Sequence, residues 1–146
     1  MCLFPFMMGG GSPSDNAPPD CKKQQTNLYI LSVAHFIMAI LICIAIPPLG
    51  IGEIFTALIL MCTAYAMNFC MVILYMLLMI QDCVQYFSAI GLLIQNGKMS
   101  ECYRNGGSKD CDPFNVTVII IFFVFTIVAI TVAFYAYRIF KANAMG

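Results

Sequence analysis

The sequence has very few charged residues. Of its 146 residues, 7 are Lys or Arg and 7 are Asp or Glu, together 10% of the chain. A soluble domain carries about 25% charged residues, so this composition is too poor in charge to build a water-facing surface. Apolar residues make up 62% of the chain. The sequence therefore predicts an integral membrane protein.

Other absences narrow the function. The net charge is zero and there is no run of Lys or Arg, which excludes a nucleic-acid partner. The chain has one histidine and lacks the Gly-x-Ser-x-Gly, His-x-x-x-His and phosphate-loop patterns. No nucleophile and base can be combined from what remains. We therefore expect no catalytic residues, no cofactor and no metal site, and hence a protein that is not an enzyme.

Long apolar segments are the main feature that is present. Each has close to the ~20 residues that a helix needs to cross a bilayer. The segments cover residues 27–46, 53–69, 71–95 and 116–140. The sequence predicts an all-α integral membrane protein, a four-helix transmembrane bundle. In this interpretation residues 1–26 form a flexible tail, residues 27–146 form one transmembrane domain, and the prolines at 47 and 48 open a short turn up to residue 52.

The second and third segments are poorly separated. No Gly or Pro lies between them, and only Asn68 interrupts the apolar run. The alternative is three crossings, with one helix from Ile54 to Ile80 followed by a helix lying at the membrane interface. In that alternative the wet face of the interfacial helix would be lined by Gln81, Gln85, Ser88 and Gln95. The lengths favour four crossings.

The loop over residues 96–115 contains two cysteines placed symmetrically about Gly106-Gly107. A two-residue hairpin turn at these glycines would bring Cys102 opposite Cys111, close enough for a disulfide. Free thiols, a redox pair or a metal site are the alternatives. A disulfide implies a lumenal, extracellular or intermembrane-space loop. Both termini would then lie on the cytoplasmic or matrix side, which the count of basic residues faintly favours.

Polar residues at membrane depth are the candidate functional residues. His35 and Asp82 lie at depths that differ by only ~5 Å if segments one and three run parallel. A contact between them is then geometrically possible, and Gln81 and Gln85, one turn apart, could hydrogen-bond to another helix. A structural role, in which His35, a glutamine or a partner protein satisfies Asp82, is favoured over a proton or cation relay of Asp82 and His35. Asp82 could instead meet a basic residue of another subunit.

These observations favour a non-catalytic function. We expect an accessory or structural subunit of a larger membrane protein complex, whose partners are the lipid bilayer and other membrane protein subunits. One alternative is a small transporter or an ion- or proton-conducting protein that uses Asp82 and His35. A second alternative is a membrane thiol oxidoreductase that uses Cys102 and Cys111.

Overall fold

The structure is a computed structural model that describes residues 17–104 and 111–145. Its helices are α1 (Pro19–Ala45), α2 (Pro47–Ala66), α3 (Phe69–Gln95), α4 (Lys98–Arg104) and α5 (Pro113–Met145). By length and composition, α1, α2, α3 and α5 can each cross a membrane. The predicted bundle of four transmembrane helices is confirmed.

The first helix begins earlier than predicted. α1 starts at Pro19 rather than at residue 27, so residues 19–26, assigned above to the tail, are helical. Proline is favoured in the first turn of a helix because a backbone N–H has no hydrogen-bond partner within the helix there, so nothing is lost when proline lacks it. Asp20 also lies in this turn, where a carboxylate suits the helix dipole. The rest of the predicted tail, residues 1–16, lies outside the described residues.

The predicted turn over residues 47–52 is wrong. Pro47 and Pro48 form the first turn of α2, and Ile46 alone connects α1 to α2. The N–H of Gly50 donates to the carbonyl of Ile46 at 3.2 Å, which closes that turn. Proline has no backbone N–H, so it cannot continue α1, and for the same reason it is well suited to the first turn of α2.

The break between α2 and α3 excludes the alternative with three crossings. Met67 ends α2 in the left-handed conformation, with φ 46° and ψ 36°. The side chain of Asn68 then caps α3 by accepting a hydrogen bond from the N–H of Cys70 at 2.9 Å. Met67 therefore ends one membrane helix and Asn68 begins the next, without a glycine or a proline.

The helices run alternately up and down. α1 packs against α2 and α5, and α3 packs against α5 and less closely against α2. Cys21 near the start of α1 and Phe140 near the end of α5 belong to the same core cluster. Three alanines of α5 (Ala129, Ala133 and Ala136) are fully buried in that cluster. Small residues of this kind let membrane helices approach closely.

The predicted disulfide between Cys102 and Cys111 is confirmed, with a Cα–Cα distance of 5.6 Å. Cys102 lies on α4, however, and not in an extended hairpin arm. Gly97, at φ 64°, separates α3 from this short helix. The glycines at the centre of the predicted hairpin lie outside the described residues. The disulfide lies at the end of the bundle opposite the start of α1.

Candidate functional site: a buried polar network

The single histidine lies in the interior of the bundle. His35, on α1, is 0% exposed. Its Nε2 lies 3.2 Å from Oε2 of Glu53 on α2, and its Nδ1 lies 3.1 Å from the hydroxyl of Tyr75 on α3. Both ring nitrogens therefore have partners on other helices.

Glu53 extends this network. Its second oxygen, Oε1, accepts a hydrogen bond from the hydroxyl of Tyr86 at 3.1 Å, and the residue is 4% exposed. Tyr75 and Tyr86 are three turns apart on α3, about 16 Å along the helix. We call these four residues (His35, Glu53, Tyr75 and Tyr86) the buried polar network. It forms a linear hydrogen-bonded chain through the core.

The fourth transmembrane helix encloses the network with aromatic rings. Phe122 and Phe125 of α5 approach His35 edge-on, with ring centroids 5.9 and 5.4 Å away. Phe122 also packs against the ring of Tyr86 at 4.8 Å. All four transmembrane helices thus contribute to one site. The polar groups come from α1, α2 and α3, and the apolar wall comes from α5.

The hydrogen bonds allow the network to be neutral overall. The proton shared by Glu53 and His35 has two possible positions. On Glu53 it gives a neutral acid beside a neutral imidazole, and on His35 it gives a carboxylate beside an imidazolium. In both, His35 donates from Nδ1 to Tyr75, and Tyr86 donates to Glu53. A lone buried charge would be costly, whereas both of these arrangements carry no net charge.

The network is complete within the bundle. Among residues 17–104 and 111–145, every buried side-chain nitrogen or oxygen has a hydrogen-bond partner.

A cavity of about 380 Å³ lies at the end of the bundle where α1 begins. It is lined by Ala17, Pro18, Cys21, Ala66, Met67, Phe140 and Asn143. None of these lining residues belongs to the network.

The possible contact between His35 and Asp82 is not formed in the structure. Both nitrogens of His35 are occupied by Tyr75 and Glu53. Asp82 is half-buried on α3, and in the described part of the chain no hydrogen bond or ion pair to it is found. Similar depth in parallel helices made the contact possible, but the azimuth of each side chain around its helix decided against it.

Sequence reasoning missed Glu53 as the acidic partner of His35. The second segment as predicted, residues 53–69, begins at Glu53 and so places it in the first turn of that helix. Because α2 begins at Pro47, Glu53 lies almost two turns inside the helix. The signal in the sequence is the pair of prolines at 47 and 48, because proline is common at the start of a helix. A helix that begins there places Glu53 in its interior.

The other predicted polar residues lie elsewhere. Gln81 and Gln85 are exposed on α3, and no hydrogen bond from either to another helix occurs among the described residues. Cys102 is 0% exposed and Cys111 8%, which weighs against a redox role because thiol exchange needs access to sulfur. No group of three or more His, Cys, Asp or Glu residues able to hold a metal occurs in the described ranges.

Fold and site together define a multi-pass α-helical membrane protein with a polar core. The chain belongs to the TRAM_LAG1_CLN8 family of TLC-domain proteins, whose family model matches residues 12–146. No curated protein and no solved structure matches the chain.

Proposed function

We propose that this protein is a non-catalytic structural or accessory subunit of a larger membrane protein complex. Asp82 carries the proposal. It is the central residue of α3, and the described residues offer it no hydrogen bond or ion pair. Lipid chains cannot satisfy a carboxyl group, and an isolated one at mid-membrane is expensive. A second protein would supply the missing partner.

The interior of the bundle supports the same proposal. His35 and Glu53 use their hydrogen-bonding capacity on Tyr75, Tyr86 and each other. A network of this kind positions helices relative to one another. Its groups are enclosed by Phe122 and Phe125, so a substrate has no approach to them in this arrangement. We therefore assign the network a structural role.

The test is the native size of the protein. The protein is extracted from its own membrane in a mild detergent, sized on a native gel, and its band analysed by mass spectrometry. We expect a band much larger than 16.2 kDa plus detergent, containing stoichiometric partner proteins. Asp82→Asn should shift it to a smaller size, whereas Glu101→Gln, at an exposed position of α4, should not. A wild-type protein that migrates alone would overturn the proposal.

A proton- or cation-conducting protein is the second candidate. The hydrogen-bonded chain from Tyr75 through His35 and Glu53 to Tyr86 favours it, because such chains carry protons in transporters. In this interpretation Asp82 would exchange protons with the Tyr86 end. Its test is proton flux into liposomes that contain the purified protein. Flux that is lost in both His35→Asn and Asp82→Asn, with assembly intact, would favour conduction over the structural role.

A further inference from the structure

One flank of α3 carries a regular stripe of residues directed away from the bundle core. Its members follow each other at alternating intervals of four and three residues, the spacing of a helix–helix seam. They are Leu74, Leu78, Gln81, Gln85, Ser88 and Leu92, exposed except for the partly buried Leu78. We call them the outer stripe. Two leucines, two amides, a serine and a leucine in this order would suit a neighbouring transmembrane helix, because amides and hydroxyls hydrogen-bond across such seams.

The outer stripe lies on the side of α3 that faces away from α5. Phe69 and Phe87, on the opposite flank, pack against Tyr137 and Phe123 of α5 with ring centroids 6.3 and 6.0 Å apart. At 100° per residue, the stripe residues lie about 100° to 180° around the helix from these two phenylalanines. The stripe residues therefore lie away from the contact between α3 and α5.

Asp82 lies between the outer stripe and the core. It is close in angle to Gln85 on one side and to the buried Tyr75, Met79 and Tyr86 on the other. It is also at the midpoint of α3, about 20 Å from each end of the helix. A helix seated on the outer stripe would therefore place its own mid-span residues opposite this carboxyl group.

In the described residues of this chain, no Lys or Arg lies at that depth. Its basic residues within the described helices lie near their ends or outside the membrane: Lys22, Lys23, Lys98, Arg104, Arg138 and Lys141. The one histidine already has two partners. A second copy of the chain would therefore bring no cation to Asp82, which argues for a different protein as the occupant.

We infer that the outer stripe binds a transmembrane helix of another protein that carries a Lys or Arg at mid-span, paired with Asp82. The inference rests on the proposed function and gives the partner its chemistry. The opposite charges satisfy each other where lipid cannot, and Gln81 and Gln85 hydrogen-bond to the partner on either side of the pair.

The experiment uses the full chain, fused at its C-terminus to a fluorescent protein, in phosphatidylcholine liposomes. Three synthetic transmembrane peptides of leucine and alanine carry Lys, Leu or Asp at the central position, and each carries a quencher. We expect the Lys peptide to bind about 10-fold more tightly than the Leu peptide, the range that one interhelical polar contact provides. We expect the Asp peptide to bind no better than the Leu peptide.

The variants test which residues are responsible. Asp82→Asn should remove the preference for the Lys peptide. A matched variant, Ile80→Asp combined with Asp82→Asn, keeps the carboxyl group but moves it to the opposite side of α3 from Asp82. Lys-peptide binding to this variant should fall by about 10-fold. Intact folding is verified by helical circular dichroism and by the Cys102–Cys111 disulfide, seen as a mobility shift on reduction.

Each other outcome overturns the inference. Equal binding of the Lys and Leu peptides would mean that apolar packing alone drives association. Full binding to the relocated carboxylate would show that the outer stripe is not the seam. Self-association that depends on Asp82, without a preference for the Lys peptide, would make a second copy the occupant. If the native complex stays large in Asp82→Asn, the proposed function survives and this inference fails.

Discussion

The interior of the bundle and the flank of α3 both carry polar groups at membrane depth, but they satisfy them differently. In the interior, His35 and Glu53 bind each other and two tyrosines, and all four side chains are buried. On the flank, Asp82 is half-buried and lies beside the exposed Gln81 and Gln85. The interior polar groups are complete within one chain, whereas those of the flank would be completed by a second.

This contrast separates two uses of polarity in a membrane. Water cannot complete the hydrogen bonds of a group in the hydrocarbon region, so a polar side chain must find a protein partner. A partner inside the same bundle fixes the fold, and a partner outside it fixes an assembly. Substitutions in the network should therefore change stability, and those on the outer stripe should change association alone.

The largest effect is expected for Glu53→Ala. This change leaves Nε2 of His35 and the hydroxyl of Tyr86 buried without a partner. We expect the free energy of unfolding, measured by SDS titration in mixed micelles, to fall by about 3 kcal/mol. Glu101→Ala, at an exposed position of α4, is the control and should change it little. Equal effects at the two positions would remove the distinction between interior and exposed acids.

Gly50→Ala tests close helix packing in the interior. A Cβ at Gly50 would clash with the sulfur and backbone of Cys43 on α1, whereas a Cβ at Gly91 on α3 would meet nothing within 4 Å. We expect Gly50→Ala to lower the free energy of unfolding by about 2 kcal/mol. Gly91→Ala should leave it unchanged or raise it by up to about 1 kcal/mol, because alanine is the better helix former. A neutral Gly50→Ala would show that α1 and α2 tolerate separation.

Tyr86→Phe removes one hydroxyl from the network and keeps the ring against Phe122. We expect a loss of about 1 kcal/mol of unfolding free energy, typical of a single hydrogen bond between membrane helices. Tyr103→Phe is its matched control, since the Tyr103 hydroxyl bonds to Thr117 at 2.8 Å in an exposed position. The control should change stability by less than about 0.5 kcal/mol. A larger effect at Tyr103 than at Tyr86 would contradict the structural role of the network.

The smallest effect on stability is expected for Gln85→Leu. The side chain is exposed on the outer stripe, so the unfolding free energy of the isolated protein should change by less than about 0.5 kcal/mol. The same substitution should weaken binding of the Lys peptide by roughly 3-fold, since one hydrogen bond of about 0.6 kcal/mol is removed. A destabilised monomer with unchanged peptide binding would place Gln85 with the interior rather than with the seam.

Much of the fold followed from the sequence because hydropathy over some twenty residues is a local property. The number of transmembrane helices, their approximate places and the pairing of Cys102 with Cys111 could be predicted in this way. The helix ends were less accurate. Proline both ends and begins helices, so the sequence placed Pro47 in a turn although it begins α2. Asn68 was a weak sign of a helix break, but α3 begins directly after it.

The sequence by itself determined that this chain is a bundle of four membrane helices with a disulfide beyond the third, since composition and segment length decide what can cross a bilayer. Only the tertiary structure decided which polar groups meet. Depth can be counted along a helix, but the direction of a side chain depends on where the helix begins and how it is rotated in the bundle. The rotation of the helices pairs His35 with Glu53 rather than with Asp82. Packing of the whole apolar surface sets this rotation, so no single segment encodes it.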